Sequence, residues 1–271
     1  MTGGLGLFLF SSDPAVVGQA VQAGIEGVVV DWERLGKEDR QLNADTQIGT
    51  DSVEDLIRVR CSTAARVLCR IDSFGAATAR EVEQAIAAGA DEILLPMVRS
   101  CEEVESVLEH VADRCGLGIL VETLAAVNQA EALGRLPLSR AYVGLNDLAI
   151  ERGSRSIFEA VADGTVEHLR RCFEVPFGFG GLTLPELGTP IPCRLLIGES
   201  ARLGCDFSFL RRSFLRDMSG RRLAVEIPRL LEALGAARRR TPEVTGSERS
   251  ELLDAIVLSR DSSAQGLHVD G

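Results

Sequence analysis

The stretches LGILVETL (residues 117–124) and AYVGLNDL (residues 141–148) decide the fold prediction. Each is a short apolar run that ends in a carboxylate, Glu122 or Asp147, and leads into a helical pattern. A carboxylate that ends a buried parallel strand lies on the rim where an α/β barrel carries its ligand site. Two such residues from consecutive strands suit Mg²⁺, which prefers oxygen ligands. The pair predicts a magnesium site, and the alternative for each residue is a helix cap.

Apolar, β-rich runs with helical patterns between them continue along the chain. Near-continuous apolar strands are typical of a parallel sheet that is covered on both faces. We therefore predict a (β/α)₈ TIM barrel, and an open doubly wound α/β sheet is the alternative. The eight runs are 5–10, 27–32, 66–72, 92–98, 117–123, 141–147, 176–182 and 205–211.

Length and composition predict one catalytic domain with a short tail. The chain has 271 residues, and a barrel of about 250 residues commonly forms a single domain. We place the barrel at residues 1–240. Residues 241–271 are rich in Ser, Gly and charge and carry one apolar island, Leu252 to Leu258. We expect this C-terminal tail to be partly disordered, or its apolar island to dock on the barrel or on a neighbouring subunit.

The charge balance and the hydropathy pattern exclude several classes of protein. The chain has 29 basic and 40 acidic residues, a net charge of −11, which disfavours binding to nucleic acid. It has no apolar run of the roughly 18 residues that a membrane span needs. Its seven cysteines form no C-x-x-C pair, which favours reduced, packing residues. We expect a cytoplasmic protein that acts on a small molecule.

Residues at two other strand ends add charge to the predicted rim. Arg70 ends the third run, where a guanidinium can hold a carboxylate or stabilise an enolate oxygen. Its alternative role is a salt bridge to Asp31 or Asp72. Asp31 and Glu33 follow the second run, and Glu33 is our first candidate for a general base. Asp31 is expected to hold a metal-bound water or to orient Arg70.

Substrate contacts are predicted from the loops that follow strands two and seven. Trp32 is a candidate contact, and Lys37 and Arg40 are expected to close over an anionic substrate. Gly180 and Gly181 allow close backbone approach, so that their N–H groups can bind a carboxylate or phosphate. A tight turn is the alternative for the two glycines.

Taken together, the motifs resemble the HpcH/HpaI aldolase and citrate lyase β-subunit family over roughly residues 5–210. The resemblance implies a barrel that binds Mg²⁺, or Mn²⁺ or another divalent cation, through Glu122 and Asp147, while Arg70 contacts the substrate. It also implies carbon–carbon bond cleavage or formation through a metal-bound enolate of a small 2-oxo acid, of the pyruvate or oxaloacetate type, or of an acyl thioester. Trimers or hexamers are further implied. The matching motifs are D-x-E (Asp31, Glu33), Arg70-Ile71-Asp72, Gly89 to Pro96, Val121 to Thr123 and Gly144 to Leu148.

The chain departs from both branches of that family after strand two. Arg34 stands where the aldolases have a histidine and the thioester lyases a second acid. His110, His168 and His268 fall on helical patterns or in the tail, so none is a convincing base. Two alternatives therefore stay open. One is a citramalyl-CoA or malyl-CoA type lyase that binds a CoA thioester, and the other is a catalytically lapsed barrel that serves as a binding or assembly partner.

Overall fold

The computed structural model describes residues 4–34 and 51–265, with side chains described to residue 260. Within these residues, nine parallel strands form one sheet. The strands are β1 Gly6–Phe10, β2 Gly27–Asp31, β3 Arg66–Arg70, β4 Glu92–Leu95, β5 Gly116–Val121, β6 Arg140–Val143, β7 Phe177–Phe179, β8 Gly181–Leu182 and β9 Phe207–Leu210.

Several strands are buried along their whole length. All five residues of β2 are buried, and so are all four of β4, β6 and β9. In β3 the first residue, Arg66, is exposed and the other four are buried. Strands buried along their whole length are what a sheet covered on both faces requires.

The strand order shows how the sheet curls into a barrel. Neighbours in the chain pair in parallel from β1 to β7, and β1 also pairs with β9. The seventh predicted run is interrupted at Gly180, whose φ of +59° favours glycine. The part before the break, β7, pairs with β6, and the part after it, β8, pairs with β9. The predicted TIM barrel is therefore confirmed as a nearly closed barrel.

Side chains inside the barrel form a small core of their own, separate from the larger core between strands and helices. Alternation along a strand explains the division, since successive side chains point to opposite faces. In β2, Val29 belongs to the interior cluster, whereas Val28 and Val30 pack under the helices. The interior is rich in aromatic rings, and those of Tyr142 and Phe209 lie 4.3 Å apart. The cluster contains Phe8, Val29, Leu68, Leu94, Leu120, Tyr142, Phe207 and Phe209.

Helices connect the strands and cover the outside of the barrel. Several begin at residues whose side chains cap the first turn, such as Asp13, Ser52 and Ser100. Gly24 and Gly89 have positive φ values just before β2 and β4, as αβ turns often require. The helices before the C-terminal segment are Pro14–Gln22, Val53–Ser62, Thr78–Ala87, Cys101–Val111, Leu124–Asn128, Ala130–Leu133, Leu145–Arg152, Glu159–Ala162, Thr165–Cys172, Cys193–Arg202, Phe214–Asp217 and Leu223–Ala237.

Most of the segment that the sequence suggested as a tail forms a helix, Pro242–Gln265. It packs on helix Cys193–Arg202 of its own chain. Leu252 and Ile256, from the predicted apolar island, are buried there. Arg249 adds an ion pair of 2.7 Å with the buried carboxylate of Glu199. The docking surface for these residues is therefore the barrel itself, and His268 lies outside the described residues.

Two smaller expectations also have an outcome. All seven cysteines are free thiols, in line with the predicted reduced state. Among the described residues, no helix is both long enough and apolar enough to cross a bilayer.

Candidate active site

A cavity of about 530 Å³ opens at the carboxyl ends of the strands. This is the rim where barrel enzymes carry their active sites. Its wall combines carboxylates and arginines with apolar side chains. The lining residues include Arg70, Glu122, Tyr142, Gly144, Leu145, Asp147, Ile157, Phe158, Gly180, Gly181, Ile191, Cys193, Leu196, Arg211, Arg212 and Arg216.

Glu122 follows β5 directly and is buried at the cavity, as the sequence predicted. Its Oε2 accepts a hydrogen bond of 3.1 Å from the backbone N–H of Met97. Met97 has a φ of +54°, a strained conformation for a residue with a side chain. Gly144 makes room on the other side, because a Cβ there would lie 2.5 Å from Cγ and 2.7 Å from Cδ of Glu122.

Asp147 reaches the same cavity from a different element than the sequence suggested. The predicted strand over residues 141–147 ends at Val143, and Asp147 lies in the first turn of helix Leu145–Arg152. Gly144 begins that helix, which explains why the chain leaves the sheet earlier. The first turn of a helix favours a negative charge, so Asp147 is also stabilised by its position.

The ionisation of Glu122 depends on the charge of Asp147. Burial, followed by the charges of Asp147 and Glu33, raises the pKa of Glu122 to about 8, although Arg70 opposes the shift. A buried carboxylate whose ionisation is opposed by a neighbouring, half-buried carboxylate is stabilised by a cation between the two. Oxygen donors of this kind fit Mg²⁺ or a similar hard divalent cation. Within the described residues, no group of three or more potential metal ligands occurs, so other ligands would come from water or substrate.

Arg70 ends β3 and is held by two carboxylates. Its Nε and Nη2 donate to the two carboxylate oxygens of Asp31 at 2.9 and 2.7 Å, and its Nη1 lies 3.0 Å from Oε2 of Glu33. The guanidinium also lies 5.2 Å from the centre of the Phe10 ring. Burial alone would lower the pKa of Arg70, but the charges of Asp31 and Glu33 outweigh it and raise that pKa. Arg70 is thus a fixed cation at the cavity wall.

Asp31 and Glu33 lie behind Arg70. Of the described residues, those that line the cavity include Arg70 but neither of these carboxylates. Asp31 also accepts a hydrogen bond of 3.0 Å from Arg212. The salt bridge to Asp31, which was the alternative for Arg70, is therefore present, and it coexists with exposure of Arg70 to the cavity. The roles of Asp31 in holding a water and of Glu33 as a base stay predictions.

Trp32 does not lie at the cavity, which corrects its expected role as a substrate contact. Its ring belongs to the core between strands and helices, and its Nε1 donates to the carbonyl of Ser52 at 3.0 Å. The reason is alternation, since Asp31 and Glu33 face Arg70 and the residue between them faces away. Lys37 and Arg40 lie outside the described residues.

Gly180 and Gly181 line the cavity where the seventh barrel strand breaks. The carbonyl of Gly180 accepts hydrogen bonds from the hydroxyls of Tyr142 and, at 3.0 Å, of Ser208. These hydrogen bonds hold the chain at the point where the strand is interrupted. Gly180 and Gly181 therefore form a turn and also line the cavity. Binding of an anion by their N–H groups stays a prediction.

Among the described residues, arginines line the cavity and histidines do not. His110 and His168 lie on helices Cys101–Val111 and Thr165–Cys172 and do not line the cavity. Arg211 and Arg212 do line it. Arg212 joins Asp31, and Arg211 is held by Asp217 at 2.7 Å.

Sequence reasoning missed several residues of the site. Gly144 and Met97 shape the pocket of Glu122, and Tyr142 fixes the strand break. Gly144 stood inside the G-x-N-D-L motif, where its lack of a side chain was a usable signal. The pairing of Arg212 with Asp31 spans 181 residues of sequence and leaves no local signal.

Comparison with solved structures shows the same fold in known enzymes. The HpcH/HpaI aldolase from Desulfitobacterium hafniense DCB-2 is 13% identical, with a TM-score of 0.63 over 89% of this chain and 95% of that chain. Citrate synthase SbnG is 16% identical, with a TM-score of 0.61 over 80% and 91%. Tryptophan synthase from M. tuberculosis in its aminoacrylate-bound form is 13% identical, with a TM-score of 0.57 over 87% and 94%.

Sequence comparisons add no relative. No family model matches the chain, and no curated protein matches it. The first structure bears the name of the family that the sequence motifs resemble, and at these identities the likeness shows that this chain shares its barrel fold.

Proposed function

We propose that this protein is a carbon–carbon lyase of the aldolase type that acts on a small 2-oxo acid and depends on a divalent cation. One observation carries the proposal, namely that Glu122, Asp147 and Arg70 line a single cavity at the catalytic end of the barrel. Two carboxylates and one fixed guanidinium are the groups that stabilisation of an enolate requires.

The cation would be held by Glu122 and Asp147. The fit rests on the raised pKa of Glu122, because a cation between buried Glu122 and half-buried Asp147 would offset both the desolvation of Glu122 and the repulsion by Asp147 that raise this pKa. A bound Mg²⁺ supplies Lewis acidity that polarises a substrate oxygen. Met97 and Gly144 keep the carboxylate of Glu122 in place for this task.

Arg70 would bind the anionic end of the substrate. Its two hydrogen bonds to Asp31 use the donor on Nε and one donor on Nη2, and Nη1 forms an ion pair with Glu33. The other N–H donors of the guanidinium would serve a carboxylate or the oxygen on which negative charge develops. Asp31 and Glu33 position Arg70, since they fix its plane and its charge, and the role of Glu33 as a general base stays a prediction beside this one.

The reaction that fits is the cleavage of a 4-hydroxy-2-oxo acid. The bond between C3 and C4 breaks, and its electron pair stays on C3 as the enolate. The C4 hydroxyl loses its proton and becomes a carbonyl, while C3 gains a proton to give the 2-oxo acid. The products balance the substrate without any further reactant, and the reverse reaction forms the same bond.

Exchange of the methyl protons of pyruvate in D₂O, followed by proton NMR, tests this function. We expect exchange with Mg²⁺ and little exchange after treatment with EDTA. Equal rates in both samples would show that the cation role is wrong. Binding of Mg²⁺ without exchange, and without turnover of any oxo acid or thioester, would instead favour a barrel that serves as a binding or assembly partner.

A further inference from the structure

We propose that the half of the substrate released as the carbonyl product carries an apolar chain of several carbons, bound along one wall of the active-site cavity. This inference rests on the proposed function and names its substrate class. The wall is formed by Leu145, Ile157, Phe158, Ile191 and Leu196, and we call it the apolar wall.

The apolar wall belongs to the scaffold, because most of its side chains are fixed by packing. Leu145, Phe158, Ile191 and Leu196 are all buried and belong to the main core between strands and helices. Ile157 is 38% exposed and lies where the wall meets solvent. A preformed apolar surface with one exposed end suits a chain that enters from solvent and lies along it.

The size of the cavity supports a substrate longer than a three-carbon acid. Its volume of about 530 Å³ falls in the range of roughly 300–1,000 Å³ that is typical of sites for larger ligands. Glu122, Asp147 and Arg70 account for the oxo-acid end only. The apolar wall is contributed by residues 145–158, the segment that also carries Asp147, and by residues 191–196.

The arginines of the cavity do not favour a second carboxylate at the far end of the chain. Arg211 is engaged by Asp217, with contacts of 2.9 and 2.7 Å. Arg212 is engaged by Asp31 at 3.0 Å. Arg216 is exposed at the cavity, where solvent screens its charge. A terminal carboxylate would therefore gain little at these arginines, and unlike a carboxylate at Arg70 it would not lie beside a cation held by Glu122 and Asp147.

The test is a series of 4-hydroxy-2-oxo acids with straight alkyl tails of one to six carbons, with kcat/KM measured from release of pyruvate. We expect kcat/KM to rise about fourfold per added methylene over the first members, which is the value of burying one methylene group. A substrate of the longest length that ends in a carboxylate should be at least tenfold poorer. A flat series, or a preference for the carboxylate, would overturn the inference.

Two variants sharpen the test. Ile157→Ser should reduce the dependence of kcat/KM on tail length, because it removes apolar surface from the wall. Ile57→Ser is the matched control, since Ile57 is similarly exposed at 46% but lies on helix Val53–Ser62, away from the cavity. The two proposals fail separately. Loss of Mg²⁺-dependent pyruvate exchange would reject the proposed function, whereas normal exchange with a flat series would reject only the apolar chain.

Discussion

Each end of the barrel holds a buried arginine paired with a buried carboxylate, but the two ends differ in what surrounds the pair. At the amino end, Arg140 lies 2.5 Å from Glu92, and its guanidinium is 4.4 and 4.7 Å from the rings of Phe8 and Phe207. At the carboxyl end, Arg70 is held by Asp31 and Glu33 and borders the cavity. The first arginine is enclosed by its own barrel, and the second faces a ligand space.

The comparison shows that a buried arginine–carboxylate pair can serve either packing or ligand binding. A buried ion pair contributes little net stability over an apolar replacement, because desolvation offsets attraction. At the amino end, the pair fills the interior of the barrel, where Gly118 leaves room because a Cβ there would lie 2.7 Å from both Arg140 and Glu92. At the rim, the same chemistry holds a cation in place before substrate arrives, and such preorganisation is what catalysis needs.

The largest expected effect separates the two arginines by activity. Arg70→Lys should lower kcat/KM for 4-hydroxy-2-oxo acid cleavage by about 10²–10³-fold, because one ammonium cannot replace the fork that contacts two carboxylates and the substrate. Steady-state kinetics measure the loss. Arg140→Lys is the matched control and should retain kcat/KM within about threefold. Similar losses in both variants would show that the rim arginine has no special role.

The second expected effect distinguishes Arg140 from Arg70 by the free energy of unfolding. Arg140→Met removes the buried cation beside Glu92 and leaves only the exposed Arg66, whose Nη1 lies 3.8 Å from Oε2 of Glu92, so it should cost about 3–5 kcal/mol in free energy of unfolding. The double variant Arg140→Met/Glu92→Leu removes both charges and should recover most of this loss. Denaturant unfolding monitored by circular dichroism measures both. If the double variant is as unstable as the single one, the stability at the amino end comes from packing of the guanidinium on Phe8 and Phe207 and not from its charge.

A third prediction concerns the room for Glu122. Gly144→Ala places a Cβ too close to the Glu122 side chain, so that the carboxylate must move and affinity for Mg²⁺ should fall by at least tenfold. Titration calorimetry measures the affinity. Gly18→Ala is the control, since a Cβ there meets nothing within 4 Å. Unchanged affinity in the Gly144 variant would count against the placement of the cation.

The smallest effect is a dependence of stability on pH. The pKa of Glu122 is raised from 4.5 to about 8 in the folded protein. Its contribution to stability is therefore fully present below about pH 4.5 and is lost as pH rises through 8. Without a divalent cation, the Glu122→Gln variant should melt a few degrees above the original protein at pH 9, on the scale of roughly 2–4 °C per kcal/mol. Thermal melts at pH 5 and pH 9 with EDTA check this, and equal shifts at both values would contradict it.

The fold could be predicted from the sequence because the signal is local and repeated. Eight apolar runs are enough to indicate a barrel, and Glu122 follows its strand as the pattern requires. Asp147 was displaced because Gly144 begins a helix inside what resembled a strand. Trp32 was expected at the cavity but lies in the core between strands and helices, a position that the alternation of side chains along a strand could have indicated.

Other features depend on contacts that the sequence does not encode locally. Arg212 meets Asp31 across 181 residues, and Met97 offers its N–H to Glu122 through an unusual φ. The apolar wall joins segments from two parts of the chain. Such features follow from tertiary packing and become visible only when the barrel is assembled.

The central claim is that Glu122, Asp147 and Arg70 form one site for a cation and an oxo acid. A crystal soaked with Mg²⁺ and oxalate, which mimics the enolate of pyruvate, tests it most directly. The account predicts a cation bound by Glu122 and Asp147, with oxalate against it and within hydrogen-bond distance of Arg70. A cation absent from this pair, with oxalate bound elsewhere, would contradict it.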